Sequence, residues 1–350
     1  MRTLLLAFLV LLAGCQRTPP TAQVLTYASP YPPTHPFSRA DITWMQWVEK
    51  ASHGRLKIRP YWSGALLSSD MSMAEIRHGV ADIGLITPIY TRGGVHLLRT
   101  QSGFYGGVRT IREQVEIYDC LARIFPEIDR EVKGLVVLAV QGGNFPGVLT
   151  RGRPIRSLED FRGLRLRAPT ENNEILQALG SDPVNMPMAD VYSALAKGII
   201  DGVVAPADTI KSLHFAEVAK NFSTIRFSRG AYPARAISDR ALHRLPPDLQ
   251  QILLQSRTVW EDALESELLK AEAAGSAFGR ENGIRFTEVS PVEQKRFDAL
   301  YNRFALDQAR RLGSLGIDAV PVFTEAQRLI ADPSAAARCG ATPSSQRTSS

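Results

Sequence analysis

Only three of the 350 residues are cysteine and six are histidine, and this scarcity limits the sites that the chain can build. The histidines form no HxH or HExxH motif and no cluster with cysteine, so the sequence gives little support for a metal centre. GxSxG, GxGxxG and GxxxxGK motifs are also missing, which leaves a hydrolase or a nucleotide-binding protein without its local signature. We therefore predict no cofactor.

Long runs of one charge are missing as well. Lys and Arg number 41 against 35 acids, a formal net charge of +6, and the basic residues are scattered among the acidic ones. A nucleic-acid partner is not expected, because no basic run could follow a phosphate backbone. The length and the 44% hydrophobic content are typical of one or two globular domains and exclude a wholly disordered chain.

The N-terminus carries a targeting pattern. Arg2 precedes an apolar run at 4–12 that is too short to span a bilayer. The run ends in Leu-Ala-Gly-Cys, which resembles the lipobox of bacterial lipoproteins, where the cysteine is lipidated. We predict a lipoprotein-type signal peptide at 1–15, lipidation of Cys15, a polar tether at 16–22 and a periplasmic location. An ordinary signal peptide with an incidental Cys15 is the alternative.

The other two cysteines are Cys120, in a predicted helix, and Cys339, near the C-terminus. One pair so far apart in the sequence does not form a disulfide framework, so we expect the fold to depend on its apolar core.

A repeated phrase predicts the architecture. Residues 75–88 and 194–206 both read as the end of a helix, a glycine (Gly79 or Gly198), an aspartate and an apolar strand that ends at proline. Glycine supplies the left-handed residue that ends the helix. Strands alternate with helices on both sides of these phrases, so the sequence predicts two α/β lobes with largely parallel sheets covered on both faces.

The helices at the ends of the chain are predicted from their caps. Ser38 is a candidate N-cap for the first helix, and Ser290 for a last helix that runs to about residue 312. Residues 247–280 read as one helix long enough to span more than one domain. The composition of 331–350 predicts a disordered tail.

The ends of the predicted strands indicate a ligand site, since open parallel sheets bind ligands there. These ends are residues 29–36, 87–90, 141–146, 167–170 and 205–208. Arg167 stands at the tip of one strand, on the face opposite the leucines. Its guanidinium fits a carboxylate in a bidentate manner, which favours an anionic ligand.

Five segments together resemble the substrate-binding proteins of tripartite ATP-independent periplasmic (TRAP) transporters, the DctP family. They are "PPTHPFSRA", "GALLSSDMSMAEIRHGVADIGLITP", "RPIRSLEDFRGLRLRAPT", "LGSDPVNMPMADVYSALAKGIIDGVVAP" and "FAEVAKNFS", and the resemblance covers about 24–313. It implies a two-lobed, periplasmic-binding-protein-like (Venus-flytrap) α/β fold with a long lobe-spanning helix. It also implies capture of an organic acid and its delivery to a permease with a small and a large membrane subunit, driven by an ion gradient.

On this resemblance, lobe I comprises 23–143 plus about 231–260, and lobe II comprises 144–230 plus about 261–330. The family's carboxylate-binding arginine corresponds to Arg167. The residues that we expect to contact substrate are Arg167, Ala205, Met188, Thr87, Asn144, Phe145 and His35.

This chain departs from the family pattern at three places. Ala205 stands where an amide is common, Met188 where an aromatic ring is common, and 142–155 lacks a clear match for a second arginine. These changes make the pocket less polar and favour a hydrophobic or aromatic monocarboxylate. Two other functions stay open: a ligand-sensing subunit that signals to a membrane kinase, and a secreted enzyme that acts on organic acids.

Overall fold

The computed structural model describes residues 22–91 and 93–340. The predicted signal peptide with Cys15, the predicted tether up to residue 21 and residues 341–350 lie outside the described residues. Within the described ranges, no helix is both long enough and apolar enough to cross a membrane.

Eleven strands form two sheets in the described part of the chain. They are β1 (Gln23–Ala28), β2 (Leu56–Tyr61), β3 (Ile83–Leu85), β4 (Leu135–Gln141), β5 (Gly147–Thr150), β6 (Arg165–Arg167), β7 (Asp182–Val184), β8 (Gly202–Ala205), β9 (Asn221–Ser223), β10 (Tyr232–Ser238) and β11 (Arg285–Thr287). The strand order is β2-β1-β3-β10-β4 in the first lobe and β11-β9-β5-β8-β6-β7 in the second. The two predicted lobes therefore have one sheet each.

Fourteen α-helices accompany these strands within the described residues. They are α1 (Pro36–Ala51), α2 (Ser72–Arg77), α3 (Leu97–Gln101), α4 (Ile111–Ile124), α5 (Glu127–Arg130), α6 (Asn173–Ala178), α7 (Val191–Ala196), α8 (Asp208–Ser212), α9 (Asp239–His243), α10 (Pro247–Gln255), α11 (Arg257–Glu281), α12 (Pro291–Arg311), α13 (Val320–Ala331) and α14 (Pro333–Gly340). Helices cover both faces of each sheet, as the sequence predicts. In the first lobe, α4 and α13 pack on one face and α1 and α11 on the other.

Both sheets are largely parallel, as predicted, but each contains one strand that runs against the others. β10 runs antiparallel to β3 and β4, and β5 runs antiparallel to β8 and β9. These are the two strands that the chain enters after crossing from the other lobe, at 142–146 and at 224–231. The parallel strands end at the cleft between the two lobes. β5 and β10 begin at this cleft, so they run in the opposite direction.

The repeated phrase forms the structure predicted from it. Gly79 and Gly198 have φ angles of +81° and +70°. They directly follow the helical turns of α2 and α7 and precede β3 and β8. The left-handed conformation, which glycine adopts without a steric penalty, turns the chain from the helix into the sheet.

The first helix starts earlier than predicted. Its N-cap is His35, whose Nδ1 accepts the backbone N–H of Phe37 at 3.2 Å, and Pro36 occupies the first helical position. Ser38 lies inside the first turn and is buried. The prediction of a Ser38 cap is therefore wrong, because Pro36 already fits the helix start and has no N–H that needs a partner.

The single long helix predicted at 247–280 is two helices, α10 and α11, separated at Ser256. The Ser256 hydroxyl donates to the carbonyl of Leu253 at 2.7 Å and accepts the indole N–H of Trp44 at 2.7 Å. A side chain that bonds to the backbone of the preceding turn commonly bends a helix.

α11 still spans both lobes. Trp260 and Leu264 are buried in the core of the first lobe. Further along, Gly275 lies so close to α8 of the second lobe that an added Cβ would meet the Ala207 carbonyl oxygen at 2.2 Å. The prediction of a lobe-spanning helix is correct for this segment.

The C-terminal boundaries differ from the predicted ones. α12 begins after the Ser290 cap as predicted, and it too reaches both cores, with Phe297 in the second lobe and Ala309 in the first. α13 and α14 then pack against α4, so the assignment of residues up to 330 to lobe II is wrong.

A disulfide explains why the tail prediction fails at 331–340. Cys339 in α14 is bonded to Cys120 in α4, and their Cα atoms lie 5.3 Å apart. Ala336 is fully buried between these helices. The fold is therefore held by one long-range covalent bond as well as by its core, contrary to the expectation from the spacing of the two cysteines.

Candidate functional site

A cavity lies between the lobes, where the parallel strands of both sheets end. The first lobe contributes residues that follow β1 and β3, among them Tyr31 and Ile89. The second lobe contributes residues that follow β6 and β8, among them Pro169 and Pro206. Loops leave the sheet at these ends and can surround a ligand. The cavity is therefore the candidate site.

Arg167, the last residue of β6, lies fully buried at this cavity. Its Nε donates to the carbonyl of Met186 at 2.9 Å, and its Nη2 donates to the hydroxyl of Tyr90 at 2.6 Å. Tyr90 belongs to the first lobe, so this hydrogen bond joins the lobes across the cleft. Within residues 22–91 and 93–340, no carboxylate forms an ion pair with Arg167. Its positive charge is therefore available to an anion.

His35 lines the same cavity as a neutral imidazole. Burial, followed by the nearby charges of Arg39 and Arg235, lowers the pKa of His35 to about 3. Because Nδ1 accepts the Phe37 N–H, the proton lies on Nε2. The ring stacks on Tyr31 with the centroids 4.1 Å apart. His35 thus offers an uncharged donor at neutral pH.

Thr87 and Met188 also line the cavity. The Thr87 hydroxyl donates to the carbonyl of Ser69, and its backbone N–H donates to the Ser72 hydroxyl at 3.3 Å, so the loop after β3 is held in place. Met188 contributes apolar surface from the second lobe. Four residues expected at the site (Arg167, His35, Thr87 and Met188) are therefore brought together.

Ala205, by contrast, does not line the cavity. Side chains alternate along β8, so Ala205 faces the apolar core with Leu195 and Ile210 while Val204 faces the cavity. The expected place of Ala205 at the site is wrong for this reason.

Asn144 and Phe145 lie in the first crossover, behind the cavity wall. The Asn144 amide donates to the Leu268 carbonyl at 2.9 Å and to Asp208 Oδ1 at 3.3 Å. The guanidinium carbon of Arg226 lies 3.6 Å from the centroid of the Phe145 ring. Neither residue lines the cavity, because both are engaged in joining the crossover to its neighbours.

A second cation at the cavity was not expected from the sequence. Arg229, in the second crossover, lines the cavity beside Gly143. An added Cβ on Gly143 would meet the Arg229 guanidinium carbon at 2.2 Å, so the guanidinium lies directly against this glycine. The sequence carries no local signal for this contact, because the register between the two crossovers decides it.

Two acids of the second lobe, Glu171 and Asp208, complete the polar part of the wall. Burial raises the pKa of Glu171 to about 7, although the charges of Arg167 and Arg229 counteract part of the rise. Burial also raises the pKa of Asp208, against the hydrogen bond from Asn144 and the charge of Arg229. At neutral pH Glu171 is therefore only partly ionised and compensates the positive charge of Arg167 only in part.

The described residues contain no group of three or more His, Cys, Asp or Glu side chains that could hold a metal ion. The side chains at the cavity are guanidinium, phenol, imidazole, amide, hydroxyl, carboxyl and apolar groups. Such groups recognise an anion with an apolar body by hydrogen bonds and charge.

Comparison with known families agrees with this geometry. The model of the DctP family, described as bacterial extracellular solute-binding protein family 7, matches residues 27–309. The chain belongs to this family. The predicted resemblance to TRAP solute-binding proteins is thereby confirmed.

Relatives of the family support the same assignment. A solute-binding protein of Albidiferax ferrireducens is 26% identical over 271 residues, 74% of this chain and 77% of that protein. The sialic acid-binding periplasmic protein SiaP of Vibrio cholerae is 30% identical over 159 residues, 44% of this chain and 49% of that protein.

Solved structures share the fold. The TRAP solute-binding protein of Rhodoferax ferrireducens, crystallised with copurified benzoate, superposes with a TM-score of 0.81 at 23% identity, covering 90% of this chain and 100% of that one. A marine metagenome TRAP protein in complex with metahydroxyphenylacetate gives 0.79 at 22% identity, covering 88% and 98%. The two-lobed fold of these structures is therefore that of this chain, and its family is that of the bacterial extracellular solute-binding proteins.

Proposed function

We propose that this protein binds an organic acid in the cavity between its lobes, with Arg167 as the carboxylate contact, and presents it to the small and large subunits of a TRAP permease. The observation that carries the proposal is a fully buried guanidinium at an interlobe cavity without an acidic partner among the described residues. Leaving a buried cation uncompensated is unfavourable, and an anionic ligand removes that penalty.

The rest of the wall favours an acid with an apolar or aromatic body. Tyr31, Phe37 and Tyr232 present rings to the cavity, and Leu85 and Val204 present aliphatic surface. Relatives of known structure support this class, since their ligands include benzoate and metahydroxyphenylacetate. Others bind sugar acids such as galacturonate.

Binding between two lobes provides a signal to the permease. A ligand that contacts both lobes favours the closed arrangement by its differential affinity for it. Small-angle scattering should therefore report a smaller radius of gyration with a bound acid than without one. A tight-binding acid that produces no compaction would contradict this part of the proposal.

The carboxylate contact is tested by a thermal-shift screen over carboxylic acids. An acid at one hundred times its dissociation constant stabilises the folded protein by about 2.7 kcal/mol. Arg167→Met should abolish the shift, whereas Arg165→Met should keep it, because Arg165 lies in the same strand but is exposed. Equal shifts in the wild type and in Arg167→Met would refute the proposed contact.

The proposal includes a periplasmic location and a lipid anchor at Cys15. One acyl chain alone gives marginal membrane binding, so stable anchoring needs more than one chain. Cys15→Ser should move the protein from the membrane fraction to the soluble fraction. Unchanged fractionation of this variant would rule out the anchor and leave acid binding unaffected.

A further inference from the structure

The cavity wall contains two buried amide side chains with an oxygen that lacks a partner. Gln141 ends β4 in the first lobe and is 1% exposed, and Asn172 follows β6 in the second lobe and is 3% exposed. Gln141 Oε1 and Asn172 Oδ1 accept no hydrogen bond from any residue in the described ranges. Glu171 Oε2 and Ser228 Oγ at the same cavity also lack a partner in these ranges. Buried polar atoms are nearly always partnered, so this group of exceptions needs an explanation.

The Gln141 side chain is held in position by a neighbouring phenol. Its Nε2 donates to the hydroxyl of Tyr232 at 3.0 Å, which leaves Oε1 without a donor. Turning the amide over would place the nitrogen at this position instead, so the atom there is an acceptor in one orientation and a donor in the other. A ligand hydroxyl, which both donates and accepts, satisfies either one.

We infer that Gln141 and Asn172 form a hydroxyl-recognition subsite, so that the cargo is a carboxylic acid that carries a hydroxyl group. This inference depends on the proposed function, since it needs Arg167 to hold the carboxylate in the same cavity. It refines the sequence-based expectation of a less polar pocket, because neither amide is among the seven residues expected to contact substrate.

Matched acids test the subsite in the unaltered protein. Calorimetric titrations compare benzoate with 3-hydroxybenzoate, phenylacetate with 3-hydroxyphenylacetate, and hexanoate with 6-hydroxyhexanoate. A site built to bond a hydroxyl discriminates strongly against the analogue that lacks it. In at least one pair the hydroxylated acid should bind at least about tenfold more tightly. Equal affinities within all three pairs would overturn the inference without affecting the role of Arg167.

Variants then test which residues cause the preference for the hydroxylated acid. Asn172→Leu and Gln141→Leu should each reduce the ratio of affinities within the discriminating pair toward one. Asn173→Leu is the matched control, because Asn173 also has an unpartnered buried oxygen but does not line the cavity. An unchanged ratio in both cavity variants would overturn the assignment. Should a leucine variant fail to fold, Asn172→Ser and Gln141→Met take its place.

Failure of the proposed function has a different signature. If no acid of the panel binds the wild type, or if Arg167→Met binds all of them unchanged, then the carboxylate contact itself is wrong. If the acids bind through Arg167 and the hydroxyl makes no difference, then only the subsite is wrong.

Discussion

Two arginines in this molecule are equally buried and differ in what surrounds them. Arg235, in β10 of the first lobe, donates to both carboxylate oxygens of Asp41, at 2.7 and 3.1 Å, and its guanidinium lies 4.5 Å from the ring centroid of Trp260. Arg167, at the interlobe cavity, has a backbone carbonyl and the Tyr90 hydroxyl as partners. The first charge is compensated within the fold, whereas the second is left for a ligand.

The difference in surroundings gives the two arginines different roles, one in stability and the other in ligand binding. A buried ion pair stabilises little relative to apolar residues, but removing one partner leaves an uncompensated charge and is costly. Arg167 lacks such a partner among the described residues, so its removal leaves no stranded carboxylate. We therefore expect changes around Arg235 to affect unfolding and changes around Arg167 to affect affinity.

The largest effect is expected for Asp41→Asn. The Asp41 carboxylate accepts hydrogen bonds from Arg235, from the Trp260 indole at 2.7 Å and from the Tyr27 hydroxyl at 2.5 Å. Its neutralisation leaves Arg235 charged and buried, so the free energy of unfolding should fall by about 3–5 kcal/mol. Urea denaturation measures the change.

Asp262→Asn is the control for this variant. Asp262 forms an ion pair with Arg112, and its side chain is 63% exposed. Pairs of this kind contribute at most about 1 kcal/mol. Equal losses in the two variants would show that burial does not distinguish these pairs.

A smaller effect, on affinity, is expected for Tyr90→Phe. The variant removes the hydroxyl that accepts the Arg167 Nη2–H across the cleft. The guanidinium then loses a bond that orients it, so acid affinity should fall about tenfold, or by about 1.4 kcal/mol. Isothermal titration measures it. Tyr192→Phe removes an exposed hydroxyl that donates to Glu217 and should bind the acid as the wild type does. Full affinity in Tyr90→Phe would remove Tyr90 from the site.

A third test concerns the ligand-free protein. Arg167→Met should leave its free energy of unfolding within about 1 kcal/mol of the wild type, or raise it, because a buried charge is replaced by an apolar group of similar length. Arg235→Met should be strongly destabilising, because Asp41 is then left unpaired. Similar losses of stability in both variants would contradict the comparison of the two arginines.

Much of the fold could be predicted because its signals are local. The glycines at 79 and 198, the Ser290 cap and the alternation of strands and helices predict the two lobes and most elements. Strand direction could not be predicted, because β5 and β10 run antiparallel only as a result of where the chain crosses between lobes. The bond between Cys120 and Cys339 depends likewise on α14 packing against α4.

Some residues of the site could likewise be predicted from local sequence signals, and others could not. Arg167 ends a strand, and Thr87 and His35 lie in segments that follow strands, so the rule for open sheets predicts all three. Arg229 reaches the cavity through a crossover that lies against Gly143, and the orientation of Gln141 depends on Tyr232 in another strand. Such pairings between distant segments leave no pattern in a single sequence.

The smallest expected effect concerns Glu171, which lies near Arg167 without acting as Asp41 does for Arg235. Its folded pKa of about 7 lies above the ordinary value of 4.5, so the folded state favours the protonated form. Stability from this group is fully present below the ordinary value and is lost as pH rises toward 7. Burial and the charge of Asp208 raise the pKa of Glu272 to about 7. Ionisation of Glu272 therefore also lowers the stability of the folded state as the pH rises toward 7.

Binding should follow the same titration. Above about pH 7, ionised Glu171 partly compensates Arg167, so acid affinity should fall severalfold between about pH 6 and pH 8. Glu171→Gln should reduce this pH dependence of both affinity and melting temperature, whereas the exposed Glu288→Gln should not. Titration calorimetry and thermal unfolding across this range measure the two slopes. If Glu171→Gln keeps the full slopes, then Glu171 does not titrate in this range and another group causes the pH dependence.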